Sequence, residues 1–370
     1  MTPPYHIRYL KRQEIDPAKW DACIDKAPNG LVYAYSFYLD NMARQWDALV
    51  WNDYEAVMPL TWNKKWGIKY LYQPPLTQQL GIFCGMEPES QKEFPSQNEP
   101  QGQKEAQNQK ERYRQLVRAF LDEAARHFRF AEIFLNYKNE IAEIGAMTGM
   151  DAALEPRMNY ILQLDAPYSQ LRDQYSTSLL KNLAATDRIP PSASAVSHGF
   201  PLHYTAVFDP AQAIAIYHTT YRERLSHVKK KDYDRFLKAC LVLQKEGGLL
   251  LRAVYGDLDD SQNHSQDHSQ DRLQDQSRYQ LLAVSLLLKK KNRIHLMLPS
   301  TLPEGKKKQA NHFLLDQLIR EFAGQDLILD FEGSDIPGIA RFYKKFGPVE
   351  QPYFFFRFNR LPWPLRLLKK

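Results

Sequence analysis

The sequence predicts an α/β protein of two domains, each a mixed α+β sheet covered by helices. The chain has 370 residues, which exceeds one ordinary core and suits two domains of about 150–180 residues each. An amphipathic helix pattern that runs directly into a buried-strand pattern occurs twice, at residues 113–137 and 309–331. This weak duplication places one domain at residues 1–165 and a second at residues 166–370.

The elements of the first half follow in chain order. Strand-like runs occupy residues 56–60, 69–72 and 80–83, and the amphipathic helix and its buried strand come after them. Residues 87–111 are rich in Gln, Glu, Lys and Ser. Because so polar a segment buries too little apolar surface to offset its ordering entropy, we expect a mobile insertion there.

The second half contains a predicted hairpin with an enlarged loop. Apolar runs at residues 249–255 and 279–288 flank a polar insertion at about 257–278, which we also expect to be mobile. His264 and His268 lie four residues apart in this insertion, the spacing of a helical metal site. Their Ser/Gln/Asn surroundings provide no rigid face, so we predict no metal site.

Composition excludes several classes of protein. A hydrophobic content of 44% supports a globular core, and the longest apolar run, residues 281–288, is too short to span a bilayer. We therefore expect a cytoplasmic protein without a transmembrane segment. Cys23, Cys84 and Cys240 are too few and too far apart for a disulfide framework or zinc site, and are expected to be buried thiols.

Positive charge is concentrated at the C-terminal end. The formal net charge is +6, and residues 289–370 alone hold 16 Lys and Arg against 8 Asp and Glu. Such a field can attract phosphates, an anionic carrier or a membrane surface, or can belong to an ordinary solvated surface. The chain has no P-loop, no dinucleotide-binding glycine turn and no Gly-x-Ser-x-Gly elbow. Serine hydrolysis and nucleotide binding are thereby disfavoured, and no DNA partner is expected.

The most informative segment is residues 327–347, an apolar run that breaks at Gly333-Ser334-Asp335 and resumes with helical spacing. It predicts a buried strand, a tight loop and a helix. The helix presents one apolar face and ends at Gly347; the face consists of Ile339, Phe342, Tyr343 and Phe346.

This segment resembles the C-terminal motif of the FemAB-like branch of the GNAT acyltransferases. The matching residues are Asp330, Phe331, Gly333, Gly338, Arg341, Phe342, Phe346 and Gly347. The chain departs from that pattern at Glu332, where a glycine is usual, and at Tyr343, where a lysine is frequent and Lys344 is displaced by one position. The resemblance implies two tandem GNAT-like domains that transfer an acyl or aminoacyl group to an amine.

Asp330 and Glu332 are the predicted catalytic residues. They lie two positions apart at a strand end and therefore on one face of the sheet, where either carboxylate could accept the proton of an amine. Alternatively, Asp330 anchors the turn, and Ser334 or Asp335 caps the following helix.

Substrate-binding residues are predicted in three places. Tyr72, Gln73 and Gln78 lie in a Pro-containing segment that either lines a cleft or connects two strands. Residues 157–165 and 175–182 resemble the stretch where FemAB chains enter their second domain, which assigns Tyr175, Lys181 and Asn182 to the acceptor side; a solvated helix face is the alternative. The C-terminal motif adds Arg341, Tyr343 and Lys344.

The donor is left open between acyl-CoA and aminoacyl-tRNA, with no tightly bound cofactor. Residues 299–310 occupy the place where acyl-CoA-dependent GNAT proteins carry a glycine-rich phosphate loop, yet they contain one glycine, two prolines and three lysines. The resemblance to FemAB-like enzymes implies aminoacyl-tRNA as the other possible donor. A basic surface suits a tRNA partner, because it can contact phosphates. The alternatives are an acyl-CoA-dependent N-acyltransferase acting on a small amine or envelope precursor, and a catalytically silent protein that binds an anionic ligand or a protein.

Overall fold

The computed structural model describes residues 6–85, 100–140, 152–186, 202–257, 279–333, 335–363 and 365–366. The chain divides into two compact units, Met1–Asn159 with Gln351–Lys370, and Tyr160–Glu350. The first unit thus includes the C-terminal end of the chain, whereas the predicted division at 165/166 assigned that end to the second domain. The difference arises because the last strand hydrogen-bonds within the first unit. No local sequence pattern predicts that pairing.

The first unit is a mixed sheet with helices. Its helices are α1 (Pro17–Lys26), α2 (Ser36–Met42) and α3 (Pro100–His127). Its strands are β1 (Ile7–Leu10), β2 (Gln45–Trp51), β3 (Ala56–Lys65), β4 (Ile68–Tyr72), β5 (Phe83–Cys84), β6 (Phe130–Leu135) and the last strand, β13 (Val349–Asn359). They pair in the order β1-β2-β3-β4-β6-β13, with β5 also on β3. The β4–β6 pair is parallel, and the other pairs are antiparallel.

Helix α3 supplies much of the core of this unit. Its buried residues recur with helical spacing, and they are Leu116, Val117, Phe120, Leu121, Ala124 and Ala125. They pack against apolar residues of the sheet, including Met58, Leu60 and Ile133. The segment in which a mobile insertion was expected, residues 87–111, overlaps this helix, because α3 already begins at Pro100. Gln, Glu and Lys are good helix formers, so a polar stretch can extend an amphipathic helix; residues 87–99 lie outside the described residues.

The second unit repeats this plan. Its strands are β7 (Ala152–Gln163), whose C-terminal end lies in this unit, β8 (Leu202–Thr205), β9 (Leu249–Asp257), β10 (Tyr279–Lys290), β11 (Arg293–Thr301) and β12 (Ile328–Asp330). Its helices are α4 (Tyr168–Asp173), α5 (Thr177–Thr186), α6 (Pro210–Tyr221), α7 (Lys230–Lys245), α8 (Pro303–Lys307), α9 (Ala310–Phe322) and α10 (Pro337–Lys344).

The strands of the second unit pair in the order β7-β12-β11-β10-β9-β8. The β11–β12 pair is parallel, and its neighbours are antiparallel. Strands β9 and β10 form the predicted hairpin; residues 258–278, the expected insertion, lie outside the described residues.

The predicted duplication is confirmed by the topology. In the first unit α3 leads into β6, which is parallel to β4. In the second unit α9 leads into β12, which is parallel to β11. Helix α9 buries Leu314, Leu315, Leu318 and Ile319, the stripe expected of a helix that covers a sheet. In each unit, therefore, a helix that covers the sheet leads into one strand of the parallel pair seen among the described strands.

Cys23, Cys84 and Cys240 are buried, as predicted. Within the described residues, no helix combines the length and the apolar character needed to cross a bilayer.

Candidate functional site

The parallel pair β11–β12 brings four polar side chains together inside the second unit. In the register of this pair, Arg293 lies opposite Ile328 and His295 lies opposite Asp330. Arg293 and His295 are two residues apart on β11, so both side chains point to the same face of the sheet. Strand β12 ends at Asp330, while β11 continues to Thr301. The cluster, which also includes Glu332, thus lies where the two parallel strands stop pairing.

A buried ion pair forms the base of this cluster. Arg293 Nη1 donates to Asp330 Oδ2 over 2.8 Å, and the side chains are 5% and 1% exposed. The other carboxylate oxygen, Oδ1, accepts the backbone N–H of Glu332 at 2.9 Å. Asp330 therefore anchors the bend that follows β12, which is the structural alternative considered for it above. Its burial leaves little room for direct contact with a substrate.

Glu332 reaches the cluster through an unusual backbone conformation. Its φ is +60° and that of Gly333 is +47°, so two successive residues occupy the left-handed region. The bend returns the Glu332 side chain to β11, where Oε1 lies 2.7 Å from His295 Nδ1. The predicted proximity of Asp330 and Glu332 is therefore observed, but the reason is different: the strand has already ended, and the bend, not strand alternation, brings them together.

The left-handed conformation is informative because Glu332 stands where the resembled motif has glycine. A non-glycine residue in this region costs about 1–3 kcal/mol and is held only when the surroundings over-determine it. Here the Asp330 carboxylate fixes the amide of Glu332, and His295 binds its carboxylate. Residues kept in such conformations cluster at functional sites.

Exposure distinguishes the acids. The side chains of His295 and Asp330 are each 1% exposed, whereas that of Glu332 is 15% exposed. Among the described members of this cluster, Glu332 is thus the group that a substrate in solvent can reach. His295 can orient Glu332 and exchange a proton with it through the 2.7 Å hydrogen bond.

Ligand atoms of the same three residues lie within 4.8 Å of one another, close enough to bind a metal ion. The positive charge of Arg293 disfavours a cation at this point, since it already neutralises Asp330. The geometry fits acid–base chemistry better than metal binding.

Helix α10 closes one side of the bend with aromatic side chains. Phe331 is buried and its ring centroid lies 4.8 Å from that of Tyr343. Gly347, with φ of +72°, ends this segment, and a Cβ there would lie 2.6 Å from Cβ of Gln174. The predicted strand–turn–helix segment and its glycine stop are confirmed. Ile336, not Asp335, is the N-cap residue, and no side chain caps the helix; Ser334 lies outside the described residues.

The structure places the remaining predicted residues of the second unit in different environments. Tyr175 and Tyr343 are buried, and burial raises the pKa of both phenols. Tyr175 packs edge-on against Phe346, so a substrate could contact these rings only if the core opened. Lys181 and Asn182 lie on α5, exposed and half-buried respectively.

The two basic residues of the α10 motif are exposed. Arg341 Nε donates to the carbonyl of Pro337 over 3.3 Å. Lys344 forms an ion pair with Glu350 at 2.7 Å and lies over the ring of Tyr160. Their predicted contact with substrate stays a prediction.

The three predicted residues of the first unit form hydrogen bonds within that unit. The Tyr72 hydroxyl accepts the N–H of Arg44. Gln73 accepts the N–H of Phe134 and donates to the carbonyl of Thr77, both at 3.0 Å. Gln78 accepts from the side chain of its neighbour Gln79. These bonds support the strand-connecting interpretation of the segment, and a role in binding stays a prediction.

Sequence reasoning missed Arg293 and His295. Both lie in the apolar strand segment 293–298, where two polar residues at alternate positions are out of place. That alternation, opposite a predicted strand that ends in Asp330, was the available signal. The pairing register that makes it meaningful is visible only in the structure.

Comparison with known proteins supports the fold. No protein-family model and no curated protein matches the chain. Among solved structures, the crystal structure of FemX is similar over 98% of this chain and 99% of its own, with a TM-score of 0.58 at 12% identity. A conserved protein of unknown function from Bacteroides thetaiotaomicron matches over 97% and 100%, with a TM-score of 0.51 at 10% identity.

A tandem GNAT protein from the clavulanic acid biosynthesis pathway is also found, with a TM-score of 0.43 at 11% identity, over 96% of this chain and 99% of that one. The comparisons give no support to a tRNA partner. The predicted α/β architecture and the predicted FemAB-like fold are confirmed: the chain has the fold of FemX along nearly its whole length.

Proposed function

We propose that the protein is an acyltransferase that moves an activated acyl group onto an amine, with Glu332 as the group that accepts the amine proton. The observation that carries this proposal is the Glu332–His295 hydrogen bond of 2.7 Å at the point where two parallel strands stop pairing. The FemX-like fold and the resemblance of the 327–347 segment support the reaction class by analogy.

The chemistry assigns a distinct task to each group. An amine that arrives as an ammonium ion gives a proton to Glu332, and its nitrogen then attacks the acyl carbonyl carbon. A C–N bond forms, the bond to the leaving group breaks, and the leaving group takes a proton. His295 holds Glu332 in place and can share the proton, while Arg293 and Asp330 fix the bend. This assigns positioning to Asp330, one of the two predicted catalytic acids.

The donor is a substrate in this proposal, not a resident cofactor, and acyl-CoA is the favoured class. An acyl thioester is activated enough for direct attack by a neutral amine, so no covalent enzyme intermediate is needed. The lysines of residues 306–308, next to α9, can contact phosphates as point charges. The acceptor is an amine, and the side chains around Glu332 would determine which amine binds.

The test begins with donor binding and proceeds to turnover. Acetyl-CoA and longer acyl-CoAs are compared with charged tRNA by thermal shift, and thiol release is then followed with amino acids, polyamines and lysyl peptides as acceptors. We expect acyl-CoA to stabilise the protein and at least one amine to release thiol. If no acyl-CoA shifts the melting temperature and no thiol appears, the proposed reaction is wrong.

A pair of variants tests the role of Glu332. Glu332→Gln keeps the size of the side chain and an acceptor for His295 but removes the base, so turnover should fall by about 10²–10⁴-fold. Asp335→Asn, an exposed carboxylate nearby, is the matched control and should retain activity. Glu332→Gly should also lose activity, because it removes the carboxylate that His295 binds. Equal turnover of Glu332→Gln and wild type would remove Glu332 from the mechanism.

A further inference from the structure

The hairpin of β3 and β4 ends in an unusual turn. In the register of this pair, Lys65 lies opposite Ile68, which leaves Trp66 and Gly67 as a two-residue loop. Their φ angles are +50° and +80°, as a type I′ turn requires. Such turns favour Asn-Gly, and a tryptophan in the first position adopts the left-handed region at a cost that asparagine largely avoids.

The side chains around this turn form a basic and aromatic surface, which we term the hairpin tip and define as residues 62–70. Trp66 is 70% exposed, so the ring adds almost nothing to the core. Lys64, Lys65 and Lys69 are also exposed. The segment 56–72 contains no Asp or Glu, so its formal charge is +3. Within the described residues, none of the three lysines takes part in an ion pair that would neutralise it.

The lysines lie against the aromatic rings and keep their charged ends near them. Lys65 Nζ is 4.6 Å from the ring centroid of Trp66, and Lys69 Nζ is 4.2 Å from that of Trp62. Each of these two ammonium groups is thus held beside an indole ring. This is the combination found where proteins meet the headgroup region of a bilayer, since indole prefers the interface and lysine binds lipid anions.

We propose that the hairpin tip docks on the surface of an anionic lipid bilayer, with Trp66 entering the boundary between headgroups and acyl chains and the three lysines contacting lipid anions. Single-stranded nucleic acid also binds surfaces of lysine and aromatic residues, but it requires a basic groove that follows the backbone over several nucleotides. The tip offers a single ring on a two-residue turn, which suits insertion into an interface. This inference does not depend on the proposed acyltransferase activity.

The test is co-sedimentation of the full chain with vesicles of phosphatidylcholine alone and of phosphatidylcholine with about one third phosphatidylglycerol. Three lysines near such a surface should strengthen binding to the anionic vesicles by about a hundredfold, and added salt should reverse the gain. Equal binding to both vesicle types, or no binding to either, would overturn the proposal.

Two variants separate the ring from the charges. Trp66→Asn should weaken binding to anionic vesicles by about tenfold, through loss of buried ring area, and should raise the melting temperature, because asparagine suits the turn. Trp363→Asn removes a ring that is 79% exposed elsewhere in the first unit and should leave binding unchanged. If the two variants bind alike, Trp66 is not the inserting group and the proposal is wrong.

The charge test uses a triple change of Lys64, Lys65 and Lys69 to Gln, which should abolish the preference for anionic vesicles. The same change at Lys229, Lys230 and Lys231, which are exposed in the second unit, removes the same charge and should keep the preference. An equal loss in both triple variants would show a net-charge effect and refute a local docking site. A single-stranded oligonucleotide bound with the same dependence on Trp66 would reassign the tip to nucleic acid and overturn the lipid proposal.

Discussion

Replacement of Asp330 by asparagine is the sharpest test of how the candidate site is held together. The Asp330 carboxylate serves two donors, Arg293 Nη1 at 2.8 Å and the backbone N–H of Glu332 at 2.9 Å. Asparagine has one acceptor oxygen, so it can satisfy one of these donors but not both. Either choice also leaves the buried guanidinium of Arg293 without the charge that compensates it.

The expected magnitude follows from burial. Both side chains of the ion pair are at least 95% buried, and removal of one partner of such a pair costs about 3–5 kcal/mol. We expect Asp330→Asn to lose about 3 kcal/mol, since asparagine retains one hydrogen bond. For a unit of this size that corresponds to a fall of about 6–12 °C in melting temperature.

The assay is thermal and urea unfolding of Asp330→Asn beside Asp326→Asn, an exposed carboxylate four residues earlier. The control should lie within about 0.5 kcal/mol of wild type. In the double variant with Arg293→Met, the uncompensated charge is gone, so the two losses should not add. A melting temperature within about 2 °C of wild type for Asp330→Asn, or strictly additive losses in the double variant, would refute the assignment of a structurally essential buried ion pair.

Two further predictions concern packing and pH. Gly305→Ala should destabilise the protein by about 1–3 kcal/mol or more, because a Cβ there would lie 2.0 Å from the carbonyl oxygen of Leu282. The control is Gly338→Ala, whose Cβ would meet nothing within 4 Å; this change should be neutral or stabilise the protein by up to about 1 kcal/mol. Unfolding curves that do not separate the two variants would contradict the prediction. Burial, with a contribution from Lys345, lowers the pKa of His312 to about 4. His312 therefore stays neutral in the folded protein while the unfolded chain takes up a proton below pH of about 6.5, so stability should fall by about 2 kcal/mol between pH 7.5 and pH 5. His312→Gln should show a smaller loss over the same range, and identical pH profiles for variant and wild type would refute the assignment.

Much of the fold could be predicted from the sequence, because the helices and strands follow from the local periodicity of apolar residues. The apolar spacing of residues 113–128 and 309–322 identified the two covering helices, and the strands that follow them identified the duplication. The division of the chain could not be predicted in the same way. The aromatic run of β13 predicts a core strand but does not indicate the unit in which that strand pairs. Its partner β6 lies more than two hundred residues earlier.

The candidate site could be predicted only in part. Asp330 and Glu332 were identified from the strand end, whereas Arg293 and His295 come from another strand, and their relevance depends on the β11–β12 register. The contrast between the two acids was also beyond sequence reasoning, since it depends on burial and on a left-handed bend at a non-glycine residue. For Tyr175, a hydroxyl in a motif suggests binding, whereas the structure places the ring in the core; its role in binding stays a prediction.

The return of β13 to the sheet of the first unit has a consequence for how the protein is made. A ribosome releases residues 1–159 long before the segment that pairs with β6 has been translated. Until then, the edge of β6 that will receive β13 lacks this strand, and such edges invite pairing with other chains. Final assembly of the N-terminal half must therefore wait until residues 351–359 have been translated. A fragment ending near residue 159 is a poor choice for expression unless that strand is supplied with it.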